Sequence, residues 1–138
     1  MADVETVDRH LAEVIDQVIS AIQETKQAVW SASTPEKRAA LTELKGFLGE
    51  QLVALSEAEE RINGRDPSIT SPTGHAIRNL RSEAGNEFSA FKALVLGELR
   101  GVSTDARRRA ADISDAPEAE LLTGLADGLD RRIDLLGE

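Results

Sequence analysis

The chain has 138 residues, of which 41% are hydrophobic and 30% charged, a balance typical of a folded globular domain rather than a disordered segment. It contains no cysteine, which excludes disulfides, thiolate nucleophiles and cysteine-ligated metal centres. With 25 acidic against 16 basic residues, the net charge of -9 disfavours binding to nucleic acid and to anionic membranes.

The N-terminal sequence MADVETVDRH lacks the basic and apolar regions of a signal peptide. No run of the chain approaches the ~20 apolar residues of a membrane-spanning helix. We therefore expect residues 1–138 to form a single cytoplasmic domain, with no membrane partner and no nucleic-acid partner.

The first two predicted helices form a hairpin. Apolar residues recur at three- and four-residue steps over residues 4–32, which is the periodicity of an amphipathic helix. Ser33 or Thr34 can cap the following helix, and Pro35 suits its first turn. The same periodicity then predicts a second helix over residues 35–62, ended by an Asn-Gly pair.

The rest of the chain predicts a third helix and a divided fourth arm. After a break at residues 64–72, a third helix is expected from a cap at Ser71 to the residue before Gly101. A short helix over residues 104–113 then precedes a C-terminal helix that Pro117 opens. These elements predict an all-α fold, an antiparallel up-and-down four-helix bundle whose fourth arm is split into a short helix and a C-terminal helix.

Three consecutive arginines, residues 107–109, stand out in this acidic chain. On a helix they point about 100° apart, so they cannot all face one phosphate. Asp105 lies four residues before Arg109, and Asp112 lies four residues after Arg108, which predicts a solvated helix with its own ion pairs. The alternative hypothesis is a basic contact for an acidic partner or for nucleic acid.

The start of the third predicted helix is the best candidate for a ligand pocket. Unpaired backbone N–H groups at a helix start attract anions, and hydroxyl, imidazole and guanidinium groups are close by in the sequence. The candidate anion-binding residues are Ser71, Thr73, Gly74, His75, Arg78 and Arg81. The alternative is that the hydroxyls are ordinary helix caps and that the histidine is merely exposed.

The sequence offers no catalytic or metal-binding motif. Helical bundles bind di-iron centres with Glu-x-x-His pairs, but Val7 and Pro72 stand three residues before His10 and His75. The GxSxG, Walker, HExxH and GxGxxG motifs are also absent from the sequence. We therefore expect no enzymatic activity, no metal and no cofactor, and keep a degenerate ferritin-like bundle as an alternative.

Two features favour contacts with another protein. Gly124 and Gly128 are four residues apart on the last predicted helix, where a neighbouring backbone can approach closely. Trp30 is the only tryptophan, and tryptophan is enriched among the residues that dominate binding energy. The alternatives are that the glycines pack within the chain and that Trp30 covers one end of the core.

We therefore predict a non-enzymatic, acidic helical bundle that acts in protein–protein interaction or assembly. Its partner is expected to be another protein or a second copy of the chain, as in a homodimer. The first alternative is a bundle that binds a small molecule or anion at the start of the third helix.

Overall fold

The computed structural model describes residues 3–32, 34–63 and 88–137, and they form four α-helices. The helices are α1 (Val4–Ser31), α2 (Pro35–Asn63), α3 (Phe88–Asp112) and α4 (Glu118–Gly137). No strand occurs among the described residues. The predicted all-α, four-helix fold class is confirmed.

The predicted hairpin of α1 and α2 is present, and the predicted cap of α2 is confirmed, while the cap of α1 was not predicted. Asp3 caps α1, because its carboxylate accepts a hydrogen bond of 2.8 Å from the Thr6 N–H. After the extended residue Ala32, the Thr34 hydroxyl accepts a hydrogen bond of 3.3 Å from the Lys37 N–H. Thr34 therefore serves as the cap of α2, and Pro35 occupies the first helical position as predicted.

The predicted break at Gly101 is wrong, because α3 continues through it to Asp112. A glycine in a helix interior costs about 1 kcal/mol relative to alanine. However, Leu99 before Gly101 and Val102 and Ala106 after it are all buried in the shared core. Packing along this face outweighs the local cost, so the residues assigned to a short separate helix belong to α3.

The C-terminal helix begins where the sequence indicates. Ile113 closes the last turn of α3, and the Ala116 N–H donates to the Ile113 carbonyl at 2.8 Å. Pro117 follows, and Glu118 is the first residue of α4. The predicted fourth arm is therefore a single helix. The predicted start of the third helix at Ser71 lies outside the described residues.

The helices pack in a different order from the one predicted. α1 packs against α2, α3 packs against α4, α1 also lies along α3, and α2 touches α4 more lightly. Gln17 of α1 bonds Asp105 of α3, while the earlier His10 bonds the later Arg109, so α1 and α3 are antiparallel.

α4 runs antiparallel to α2. Glu43 of α2 bonds Arg132, and the later Phe47 contacts the earlier Gly128, so α2 and α4 are antiparallel. Since α1 and α2 form a hairpin, α2 and α3 run in the same direction. The strictly alternating up-and-down order is therefore not found among the described helices, and Asn63 and Phe88 lie at opposite ends of the bundle.

One hydrophobic core lies between the four helices. Each fully buried leucine or isoleucine contributes roughly 1.5–3 kcal/mol relative to an exposed one. All but Ile113 of the largest of these side chains come from the predicted apolar stripes, and these largest side chains are Leu11, Ile15, Leu41, Leu44, Leu48, Leu55, Leu99, Ile113, Leu122, Leu125 and Leu129.

Candidate functional site

The contact between α2 and α4 is centred on one glycine. The ring of Phe47 lies directly on Gly128, and a Cβ atom at this position would come within 2.6 Å of Phe47 Cε2. Gly128 thus lets an aromatic ring from α2 approach the α4 backbone. The hypothesis of a partner contact at Gly128 is wrong, because the residue is buried within the chain, whereas the alternative of intrachain packing is confirmed there.

A bridge of charged side chains lies next to this contact. Arg132 of α4 donates to both carboxylate oxygens of Glu43, at 2.9 and 3.2 Å, and its guanidinium stacks 3.8 Å from the centroid of the Phe47 ring. Arg132 also donates to the Gly128 carbonyl at 3.0 Å. The two-pronged geometry fixes the guanidinium, so this side chain forms a defined wall.

A groove opens between α2 and α4 beyond this bridge. Its volume is about 590 Å³. It is lined by Ala40, Glu43, Arg131, Arg132, Leu135 and Leu136. Leu136 packs against the core, whereas Leu135 is 70% exposed. The groove therefore combines a small alanine wall, an exposed leucine and charged groups at its edge.

Arg131 is the exposed cation of the groove. No hydrogen bond or ion pair joins it to another residue in the described part of the chain. Arg132, by contrast, is held by Glu43. Arg131 is therefore available to pair with a negative group that enters the groove.

Trp30 lies at the same end of the bundle and is 73% exposed. The ammonium of Lys26 lies 5.0 Å from the centroid of its ring. α1 ends where α2 begins, and the antiparallel α4 ends beside the first turns of α2. Trp30 and Leu135 therefore share one end of the bundle. The alternative in which Trp30 covers the core end is wrong.

This end also differs in charge from the rest of the molecule. We call residues 26–32, 34–43, 88–95 and 131–137 the basic end. The basic end has a net charge of +3, because it contains six cations and three acids. The cations are Lys26, Lys37, Arg38, Lys92, Arg131 and Arg132, and the acids are Glu36, Glu43 and Asp134. The other described residues carry eighteen acids and seven lysines or arginines, a net charge of -11.

The arginine run at 107–109 is engaged within the chain. Arg107 donates to Asp127 at 2.8 Å and to Asp130 at 2.5 Å, both on α4. Ser103 also donates to Asp130, at 2.6 Å, and these hydrogen bonds hold the pKa of Asp130 below its usual value. The run thus joins α3 to α4, which the sequence did not indicate.

Arg108 and Arg109 share one carboxylate, that of Asp105. They donate to it at 2.5 and 2.6 Å, and Gln17 of α1 adds a third hydrogen bond at 2.7 Å. Burial alone would raise the pKa of Asp105, but the hydrogen bonds from Arg109, Gln17 and Arg108 outweigh it and lower the pKa to about 2. The predicted Asp105–Arg109 pair is confirmed, whereas Arg108 pairs with Asp105 rather than with Asp112.

His10 is buried against the same cluster. Arg109 Nη1 donates to His10 Nδ1 at 3.0 Å, and Asp112 lies 3.9 Å from His10 Nε2. Burial lowers the pKa of His10, and the charge of Arg109 lowers it further. The accepting Nδ1 requires a neutral ring, so the imidazole acts here as a structural acceptor.

Two sets of predicted site residues fall elsewhere. The anion-binding candidates Ser71, Thr73, Gly74, His75, Arg78 and Arg81 all lie outside the described residues. Gly124 is exposed, and a Cβ atom there would meet no other atom within 4 Å. It lines a shallow surface between the end of α3 and the start of α4, so its partner contact stays a prediction.

Neither a metal site among the described residues nor a related protein indicates a more specific function. No group of three or more His, Asp or Glu side chains in residues 3–32, 34–63 and 88–137 is arranged to hold a metal ion. None of the helices in those ranges combines the length and hydropathy needed to cross a bilayer. No protein-family model matches the chain, and no curated protein is significantly similar to it.

The groove was not predicted, although one feature of the sequence points to it. Adjacent leucines on a helix point about 100° apart, so Leu135 and Leu136 cannot both lie at the centre of one inward stripe. Leu135 falls outside the stripe that includes Ile133 and Leu136. No local signal pairs Glu43 with Arg132, because 89 positions separate them.

Proposed function

We propose that this chain is a non-enzymatic helical bundle that binds a protein partner at its basic end. The observation that carries the proposal is that Trp30 and Leu135, the two largest exposed apolar side chains among the described residues, both lie at this one end. Single exposed apolar residues are common on protein surfaces, but here two large ones are exposed at the same end of the bundle, and Leu135 also lines the groove.

The form of this end also supports a protein partner. The groove presents an apolar wall with charged groups at its edge, which is the arrangement of an apolar centre with a polar rim found at protein interfaces. Tryptophan and arginine are the residue types that most often dominate interface energies. Trp30 and Arg131 supply one of each.

The α2–α4 bridge supports the proposal in a second way. Arg132 is held by Glu43, by the Gly128 carbonyl and by the Phe47 ring, so the groove wall is formed before any partner arrives. A preformed surface loses less conformational entropy on binding than one that must be ordered. We therefore place the central contact at Leu135 and Leu136, which line the groove.

Site-specific photo-crosslinking in the cells that make the protein tests this proposal. The photoreactive amino acid p-benzoylphenylalanine is introduced at position 135, and covalent adducts are identified by mass spectrometry. We expect discrete adducts with one protein or with a second copy of the chain. Either product supports the proposal, since both are protein partners.

Val53 provides the matched control position. It is 57% exposed and aliphatic, like Leu135, but lies on α2 outside the basic end. The same photoreactive group at position 53 should give none of these adducts. The absence of protein adducts at position 135, or identical adducts at positions 135 and 53, would contradict the proposed function.

A further inference from the structure

We infer that the segment that fills the α2–α4 groove is acidic as well as apolar: an amphipathic helix of another protein, with a large apolar side chain flanked by Asp or Glu. This inference rests on the proposed function and specifies the class of partner. It is carried by the exposed Leu135 and Arg131 of the groove, which lie at the only net positive end of the described structure.

The charge distribution selects the sign of the partner. The basic end carries +3, while the rest of the described residues carries -11. Opposite charges across an interface favour the correct partner, and like charges placed together penalise the wrong one. The charged residues that line the groove are Arg131 and Arg132 against Glu43, so a lysine-rich segment would meet more like charges there than an acidic segment would.

Arg131 gives this preference a specific contact. It lines the groove beside Leu135, is exposed, and is joined to no other described residue by a hydrogen bond or ion pair. A carboxylate next to an apolar side chain in the groove would lie within reach of its guanidinium. Arginine binds carboxylates through two parallel hydrogen bonds, so the pair also orients the segment.

The shape of the site favours a protein segment over a lipid surface. A groove of about 590 Å³ between two helices accepts protruding side chains, which a flat headgroup layer does not provide. The small residues Ala39 and Ala40 form the exposed side of α2 there, so a helix backbone can approach closely. The strongly acidic remainder of the molecule would also be repelled by an anionic bilayer.

Two synthetic peptides test the inference on the purified protein. Both peptides carry leucines at the same positions, spaced three and four residues apart. All the remaining positions are Glu in one peptide and Lys in the other. Binding is followed by calorimetry and by the emission of Trp30, the only tryptophan. We expect the Glu peptide to bind with an affinity about ten times that of the Lys peptide, and to shift Trp30 emission to the blue.

Charge reversal then locates the preference. Arg131→Glu should abolish the difference between the two peptides, whereas Arg61→Glu, an exposed arginine at the far end of α2, should preserve it. At about 1 M ionic strength, where the screening length is about 3 Å, the preference should also collapse.

The remaining outcomes overturn the inference. Equal affinities, a preference for the Lys peptide, or no binding of either peptide would each exclude an acidic apolar occupant. A blue shift of Trp30 with phosphatidylserine vesicles but not with the Glu peptide would indicate a lipid surface instead. In any of these cases, protein adducts at position 135 would still support the proposed function, so the two failures can be distinguished.

Discussion

The imidazole of His10 lies buried in direct contact with a guanidinium, an arrangement that makes stability depend on pH. Its Nδ1 accepts a hydrogen bond from Arg109, so protonation would place two cations 3.0 Å apart. Arg9 and Arg108 also disfavour the charged ring, and only Asp112 favours it among the charges that act on it. The pKa of His10 is therefore held below its ordinary value of 6.5.

The sign of the pH effect follows from this shift. As the pH falls below 6.5, the unfolded chain binds a proton at His10 before the folded chain does. We expect the free energy of unfolding to decrease over this range. The variant His10→Gln retains an acceptor for Arg109 but cannot titrate, so urea denaturation at successive pH values should show a smaller decrease.

The second histidine provides the control for this prediction. His75→Gln removes the only other imidazole and should leave the contribution of His10 in place. If His10→Gln and the unmodified chain lose stability equally between pH 6.5 and 5, the contact does not govern the pH dependence.

Two glycines on α4 should respond in opposite ways to the same substitution. At position 128 an added Cβ atom would overlap the Phe47 ring, so Gly128→Ala should destabilise the fold by about 1–3 kcal/mol. At position 124 nothing lies within 4 Å, so Gly124→Ala should stabilise it by about 0.5–1 kcal/mol. Equilibrium denaturation measures both, and a stabilising Gly128→Ala would refute the close contact.

At the scale of the helices, the continuity of α3 gives another test. Gly101 is exposed within α3, and no atom would contact an added Cβ. Gly101→Ala should therefore stabilise the protein by about 0.5–1 kcal/mol, because alanine is the better helix former. If the helix ended at Gly101 in a left-handed conformation, alanine would destabilise it instead. Denaturation with urea, compared with the unmodified chain, distinguishes the two.

The sequence predicted the helices well where periodicity and caps agreed. α1, α2 and the start of α4 lie close to their predicted bounds, since Pro35 and Pro117 mark helix starts by steric rules alone. The predicted break at Gly101 was wrong because the local cost of a glycine is visible in the sequence, whereas the buried contacts that outweigh it depend on the tertiary fold.

Burial was also wider than the apolar stripes indicated. Asp16, Ser20 and Glu24 recur at four-residue steps on α1 and are all buried. Hydrophobicity alone assigns such positions to the surface, although polar groups are buried wherever the surrounding elements cover them. The apolar stripe of α1 therefore underestimates the face that this helix turns inward.

At the scale of the whole molecule, the packing partners of the helices could not be predicted from periodicity. An apolar stripe shows which face of a helix is buried, but not which neighbour covers it. The placement of α3 beside α1 depends on pairs such as Gln17 with Asp105, which are 88 positions apart. The groove was missed for the same reason, because α2 and α4 meet only in the fold.

The uneven distribution of charge gives the bundle a permanent electric dipole along its long axis. A chain with an isoelectric point near 4.8 would ordinarily repel an acidic protein from every direction. Here the bundle would experience a torque in the field of an approaching anionic molecule, and this torque would turn the end bearing Trp30 and Leu135 toward that molecule. Collisions would then be oriented before contact, and they would become less productive as added salt weakens the field.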